Sequence, residues 1–204
     1  DARKDGVYDS NSVSIFERDF LGKHISQGLI DPNDIHLIVS LKYDGISVEN
    51  TVKGSTIISS CSRGDTANNE ASDLTPILGG MEFQRAKNAN IEDKEFGIKF
   101  EYIITDYNLN RIRQRFGIDY VNRRNAVIGI FGRLDARQLR DYLTPVPLES
   151  SLNVDRITEI EFLNRYYTKG ETLRYIEVRG NYSQVLYQVN EFVKEANTLR
   201  EMMP

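Results

Sequence analysis

The chain is expected to fold as an α+β protein, and three observations predict it. Runs rich in branched apolar residues come close together, as residues 36–42, 46–48 and 55–61 do, with Lys53-Gly54 a turn between the last two. Runs with apolar residues at helical spacing lie mostly in the second half of the chain. The two kinds do not alternate regularly, which argues against a doubly wound parallel sheet.

Taken in order, residues 1–35 are polar and weakly periodic. Ile15, Phe16, Phe20 and Leu21 fit one side of a short helix that Ser12 or Ser14 would cap, and Asp31-Pro32-Asn33-Asp34 reads as a turn. This stretch is expected to be a lead-in to a main domain over 36–204. A strand over 36–42 ends at Ser40-Leu41-Lys42-Tyr43-Asp44-Gly45, and the hairpin that follows carries Ser62-Arg63-Gly64-Asp65 just past its exit. Residues 65–70 are loop-like, 74–80 lead out of that loop, and 84–95, charged and poor in apolar residues, are expected to be an exposed connection. Residues 96–104 form the next strong strand. Glu101 lies in it among apolar neighbours, where an unpaired carboxylate would be costly.

Thr105 and Asp106 are placed to cap a helix bearing Leu109, Ile112, Arg113 and Phe116, with Gly117 as its stop. Residues 124–131 form a small apolar helix. Residues 142–148 are extended, and Pro145 and Pro147 confine that strand to a sheet edge. Asn153 or Asp155 opens a helix with Ile157, Ile160, Leu163 and Tyr167 on one face. A short strand over 175–178 precedes a last helix, capped by Ser183, with Val185, Val189, Phe192, Val193 and Ala196 at helical spacing.

Composition narrows the function classes. With 40% hydrophobic and 27% charged residues in 204, the chain has the make-up of an ordinary globular domain with one good-sized core. No apolar run approaches the ~20 residues of a membrane span, and no secretory leader opens the chain, so a cytoplasmic protein is expected. A start at Asp1 suggests a processed or trimmed chain. One cysteine, Cys61, and two histidines, His24 and His36, make a zinc site unexpected and fit a reducing compartment. The net charge of −4 argues against coating nucleic acid by bulk charge. Arg111, Arg113, Arg115, Arg123, Arg124, Arg133, Arg137 and Arg140 nevertheless fall in one region, either as a solvated helical surface or as a phosphate-contacting one.

The chemistry centres on Lys42. A lysine is a poor nucleophile at neutral pH because its free pKa is about 10.4, and burial or a neighbouring cation frees the lone pair. Lys42 at a strand end, with Arg63 close by, has the placement for attack on an α-phosphate. Asp44 would orient the lysine or hold a divalent ion, Gly45 lets the backbone approach a nucleotide, and Glu101 would accept from a ribose hydroxyl. Taken alone, the four residues from Lys42 to Gly45 also read as an ordinary exposed turn.

The turn is not alone. Lys42-Tyr43-Asp44-Gly45-Ile46-Ser47 and Ser62-Arg63-Gly64-Asp65 resemble the lysine motif and following arginine turn of NAD-dependent DNA ligases. Glu101 resembles the family's third motif, and Val121-Asn122-Arg123-Arg124-Asn125-Ala126-Val127-Ile128-Gly129 its asparagine-proline-arginine-asparagine-alanine segment. The matches come in family order over roughly residues 36–149. The resemblance implies a nucleotidyltransferase fold of antiparallel sheets flanked by helices, NAD+ as AMP donor, Mg2+, and transfer of AMP from Lys42 to a 5′-phosphate at a nick in double-stranded DNA, in repair or replication. It implies Lys42 as the adenylated residue, Asp44 as its polar partner, Arg63 and Arg124 as phosphate contacts and Glu101 as the ribose contact.

The chain departs from the family pattern at Ser40, where the family has an adenine-reading glutamate, and at Lys99-Phe100, where it has arginine-glycine. Arg123 stands at the family's proline, Gly132 at a later arginine, and Val146 and Leu148 where an aromatic would stack on adenine. The family's fourth motif is not met before Pro204, so the expectation is an incomplete adenylation domain: a fragment, or one polypeptide of a ligase divided between chains and completed by a second. The alternatives are a diverged, non-catalytic binding subunit and, ranked last, an ATP-dependent RNA ligase. In a virus, the location would be host cytoplasm.

Overall fold

A computed structural model describes residues 10–62, 71–91, 94–133 and 135–202, with backbone alone at 10–12 and 199–202. The described chain is α+β, with antiparallel sheets flanked by helices. Its residues divide into two compact units, one made of 1–41 with 174–204 and the other of 42–173. The expected break at 35/36 does not coincide with this division.

The first unit joins the two ends of the chain. α1 (Ser10–Ile15), a π-helical turn (Phe16–Gly22) and α2 (Lys23–Ser26) lead to β1 (Ile35–Ser40), which pairs antiparallel with β6 (Tyr175–Gly180). α9 (Tyr182–Met202) follows. Leu21, Ile35, Val178, Val185 and Val189 form a separate apolar cluster here. The helix expected around Ile15 begins earlier, so Ser12 and Ser14 lie inside α1 and do not cap it. At α9, Asn181 takes the capping place expected for Ser183: its Oδ1 accepts from Gln184 N–H at 3.1 Å, and Gln184 Oε1 accepts from Asn181 N–H at 2.9 Å. β1 stops at Ser40 instead of running to Lys42: its ladder with β6 ends at the Ser40–Tyr175 pair, and one further bond joins Leu41 N–H to Arg174 O at 3.0 Å.

The second unit is built on a four-stranded sheet in the order β3-β2-β4-β5. β2 (Ile46–Lys53) and β3 (Thr56–Ser62) form the expected hairpin, with Gly54 at φ +56° in the two-residue turn, a conformation glycine reaches without strain. β4 (Glu95–Ile103) lies on the other side of β2. β5 (Thr144–Ser150) takes the edge, where Pro145 and Pro147 cost the interior of the sheet no hydrogen bond. One face of the sheet presents Val48, Val52, Ile98, Phe100 and Tyr102 to the core. α5 (Asp106–Phe116), α6 (Arg123–Phe131), α7 (Ala136–Leu139) and α8 (Arg156–Tyr166) add Ile112, Val127, Ile130, Leu139 and Leu163 to the same cluster.

Three caps match the sequence. Thr105 accepts from Asn108 N–H at the start of α5, Gly117 ends that helix at φ +66°, and Asp155 accepts from Thr158 N–H to open α8. Two stretches read as connections are helical instead: α3 (Thr75–Leu78) and α4 (Gln84–Asn88). Leu78 and Ala86 are fully buried, so single apolar side chains, too few to make a periodic signal, tie these short turns to the core. Tyr167 is buried as well, and its hydroxyl donates to Gly54 O at 2.6 Å; burial pushes the phenol up to about 12. No helix among the described residues is long and apolar enough to cross a membrane.

Candidate active site

The face of the four-stranded sheet opposite the core carries the polar groups. Period-2 alternation puts Ser47, Glu49, Lys99 and Glu101 there. The register sets Ser47, Glu101 and Val146 in one row across three strands, and Glu49, Lys99 and Glu149 in the next. In the second row Lys99 Nζ lies 3.3 Å from Glu49 and is also paired to Glu149. Glu149 first, then Glu49, hold its ammonium above the usual lysine value despite partial burial.

Glu101, among apolar neighbours where an unpaired carboxylate would be costly, is fully paired. Its Oε1 accepts from Gly45 N–H at 2.9 Å and its Oε2 from Ser47 Oγ at 2.5 Å. The Lys42–Gly45 turn is thereby fastened to β4. Gly45 is required at this point: a Cβ on it would stand 2.0 Å from the Tyr102 carbonyl oxygen. Further back in the turn, Tyr43 OH donates to Thr172 O at 2.7 Å.

Lys42 itself is exposed, in irregular chain just after β1. Asp44 is exposed too, and its Oδ1 lies 4.0 Å from Arg124 Nη1. Arg124 is held at the first turn of α6, where Asn122 Oδ1 accepts from Asn125 N–H at 2.8 Å. Arg123 occupies the first helical position, where the family's proline would cost no hydrogen bond, and pairs with Asp106. Gly129, at the end of the same segment, lets the Tyr120 ring lie across the helix; a Cβ there would meet Tyr120 Cε1 at 2.5 Å.

The structure therefore brings Asp44, Glu101 and Arg124 around the turn that begins at Lys42. Arg63 lies outside the described residues; Ser62, just before it, pairs with Val48. Ser47 and Tyr43 were within the quoted motif, but nothing in the sequence assigned them a role, since their partners lie far along the chain.

The arginine-rich region is mostly tied to protein groups. Arg113 pairs with Asp119, Arg123 with Asp106 and Arg133 with Asp135. Arg111 lies over the Tyr107 and Tyr142 rings, and Arg140 donates to the carbonyls of Ile77 and Gly79. These contacts favour the solvated, ion-paired alternative, with Arg124 the member beside the candidate site.

The fold and site define an α+β domain with a lysine turn anchored to a sheet by a glutamate. Compared with models of known protein families the chain matches none, and no curated protein matches it either. The ligase resemblance accordingly rests on the motifs and their placement.

Proposed function

We propose that this chain is the adenylation-domain part of an NAD-dependent DNA ligase, with a nucleotidyltransferase fold. The observation that supports this reading most is spatial. Motifs far apart in sequence meet at one turn: Glu101 bonds the Gly45 backbone, and Arg124 lies 4.0 Å from Asp44.

In the proposed reaction the unprotonated Lys42 amine attacks the α-phosphorus of NAD+, which is a substrate here. The P–N bond forms, the P–O bond to nicotinamide mononucleotide breaks, and Nζ gives up a proton. Arg124 is the cation for phosphate charge and Asp44 the carboxylate nearest Lys42 along the chain. Glu101 retains lone pairs for a ribose hydroxyl even with two donors bound, since a carboxylate has about four acceptor sites. AMP then passes from Lys42 to a 5′-phosphate at a nick in double-stranded DNA.

The residues fit a magnesium ion only in one sense. The described residues contain no group of three or more His, Cys, Asp or Glu side chains able to hold a metal, and Asp44 is the carboxylate of the turn. That set suits an ion carried mainly by substrate phosphates and water, where it neutralises phosphate charge.

The test is an intact-mass measurement after incubation with NAD+, alone and with a cell extract. An adduct of AMP mass that is lost in Lys42→Ala is expected; no adduct under any combination overturns the reading. A second reading, a diverged binding subunit without catalysis, is favoured by Ser40 in the adenine-reading place and by the fully buried Val146 where an aromatic is expected. Binding to nicked DNA that is unchanged in Lys42→Ala, with no adduct, would select it.

A further inference from the structure

Both carboxylate oxygens of Glu101 are taken up by the segment that leads away from Lys42. Ser47 stands directly across from Glu101 in the β2–β4 ladder and reaches Oε2 at 2.5 Å. Gly45 precedes β2, in the turn itself, and reaches Oε1 at 2.9 Å. The two donors are unlike. The Ser47 hydroxyl is a side chain on a regular strand, whereas the Gly45 N–H is backbone whose position sets the path of the turn. A glutamate side chain ends in a broad, weakly restrained torsion, so one hydrogen bond leaves its head free to swing. Two donors on one segment fix both oxygens.

We propose that Ser47 is a positioning residue for Lys42. Its hydroxyl orients the Glu101 carboxylate so that the other oxygen holds the Gly45 N–H and keeps the Lys42 turn against β4. The close approach of Gly45 to the Tyr102 carbonyl already limits that turn to a narrow range of paths, and the Glu101 bond selects one of them. Removal of the hydroxyl lets Oε2 turn toward other donors, the Oε1 bond to Gly45 weakens, and the turn lifts. This inference rests on the reading of Lys42 as the nucleophile.

The full chain, with whatever partner supports adduct formation, is compared as wild type, Ser47→Ala, Ser47→Thr and Glu101→Gln. Adduct formation on Lys42 is followed against NAD+ concentration, and amide hydrogen exchange is read at Gly45. Ser47→Ala is expected to lower the limiting rate on the order of 10- to 100-fold, as small misplacements of reacting groups do, with the half-saturating NAD+ concentration little changed. It is also expected to speed Gly45 exchange. Ser47→Thr keeps the hydroxyl on a strand-compatible side chain and restores both. A wild-type rate or wild-type Gly45 exchange in Ser47→Ala overturns the proposal. So does a loss that appears only as a raised half-saturating concentration, which would make Ser47 a nucleotide contact. If wild type forms no adduct with any partner, the ligase reading fails, and Gly45 exchange together with acetic-anhydride labelling of Lys42 relative to Lys23 still decides the latch. Unchanged labelling and exchange in Ser47→Ala would refute it.

Discussion

Gly45 and Gly129 both sit where a methyl group has no room, yet they should answer substitution differently. At Gly45 the obstacle is the Tyr102 carbonyl oxygen, 2.0 Å from where a Cβ would be, in a strand fixed by pairing on both sides. At Gly129 it is the edge of the Tyr120 ring, 2.5 Å away, and a ring can swing. Gly45→Ala is expected to cost about 3 kcal/mol, at the upper end of overpacking, and Gly129→Ala about 1 kcal/mol, both read from urea unfolding. Glu159 should couple stability to acid pH. Glu159 is buried at 7% exposure, and Ser150 N–H, Ser150 Oγ and Arg156 Nη1 donate to it at 2.5, 2.7 and 2.5 Å. Burial alone would raise its carboxyl, but the Ser150 and Arg156 hydrogen bonds outweigh burial and hold it below the usual 4.5. With the folded value below the unfolded one, its contribution is complete above about pH 4.5 and is lost as pH falls through the lowered folded value. Glu159→Gln should destabilise the protein by about 1–3 kcal/mol at neutral pH and flatten the acid limb of the stability curve.

Among the elements, α6 links stability to the candidate site. Its first turn carries Arg124 and is closed by Asn122, so Asn122→Ala is expected to cost about 1 kcal/mol and to fray the turn that faces Asp44. Arg123 offers a separate check on the resemblance. At the first helical position a proline removes no intrahelical bond, and the exposed Asp106 pair contributes little. Arg123→Pro should therefore change stability by less than about 1 kcal/mol in the same unfolding measurement. β5 follows similar reasoning: two prolines are compatible with an edge and incompatible with the sheet interior.

At the scale of the whole molecule, each unit has an apolar cluster of its own among the described residues. The larger apolar cluster, from Val48 to Tyr167, lies wholly within 42–173, and the smaller one within 1–41 and 174–204. A 42–173 fragment is therefore expected to unfold cooperatively on its own, which circular dichroism in urea would check; a non-cooperative transition would contradict it. The first unit depends on β1 meeting β6 across the entire second unit, a long loop closure that should make it the slower part to form.

Much of this was legible in the sequence because it is local. The Thr105 and Asp155 caps, the Gly117 stop, the Lys53-Gly54 hairpin and the proline-marked edge strand depend on residues within a few positions of one another. The order of Lys42, Asp44, Glu101 and Arg124 was legible in the same way, as spacing along a chain. What the sequence could not reveal depends on distant partners: that β1 pairs with β6, that Asn181 and not Ser183 caps α9, and that isolated buried residues such as Ala86 hold short helices to the core. Tertiary structure alone decided that Glu101 is latched by Gly45 and Ser47 and that Arg124 stands beside Asp44, because strand register and helix placement set which side chains meet.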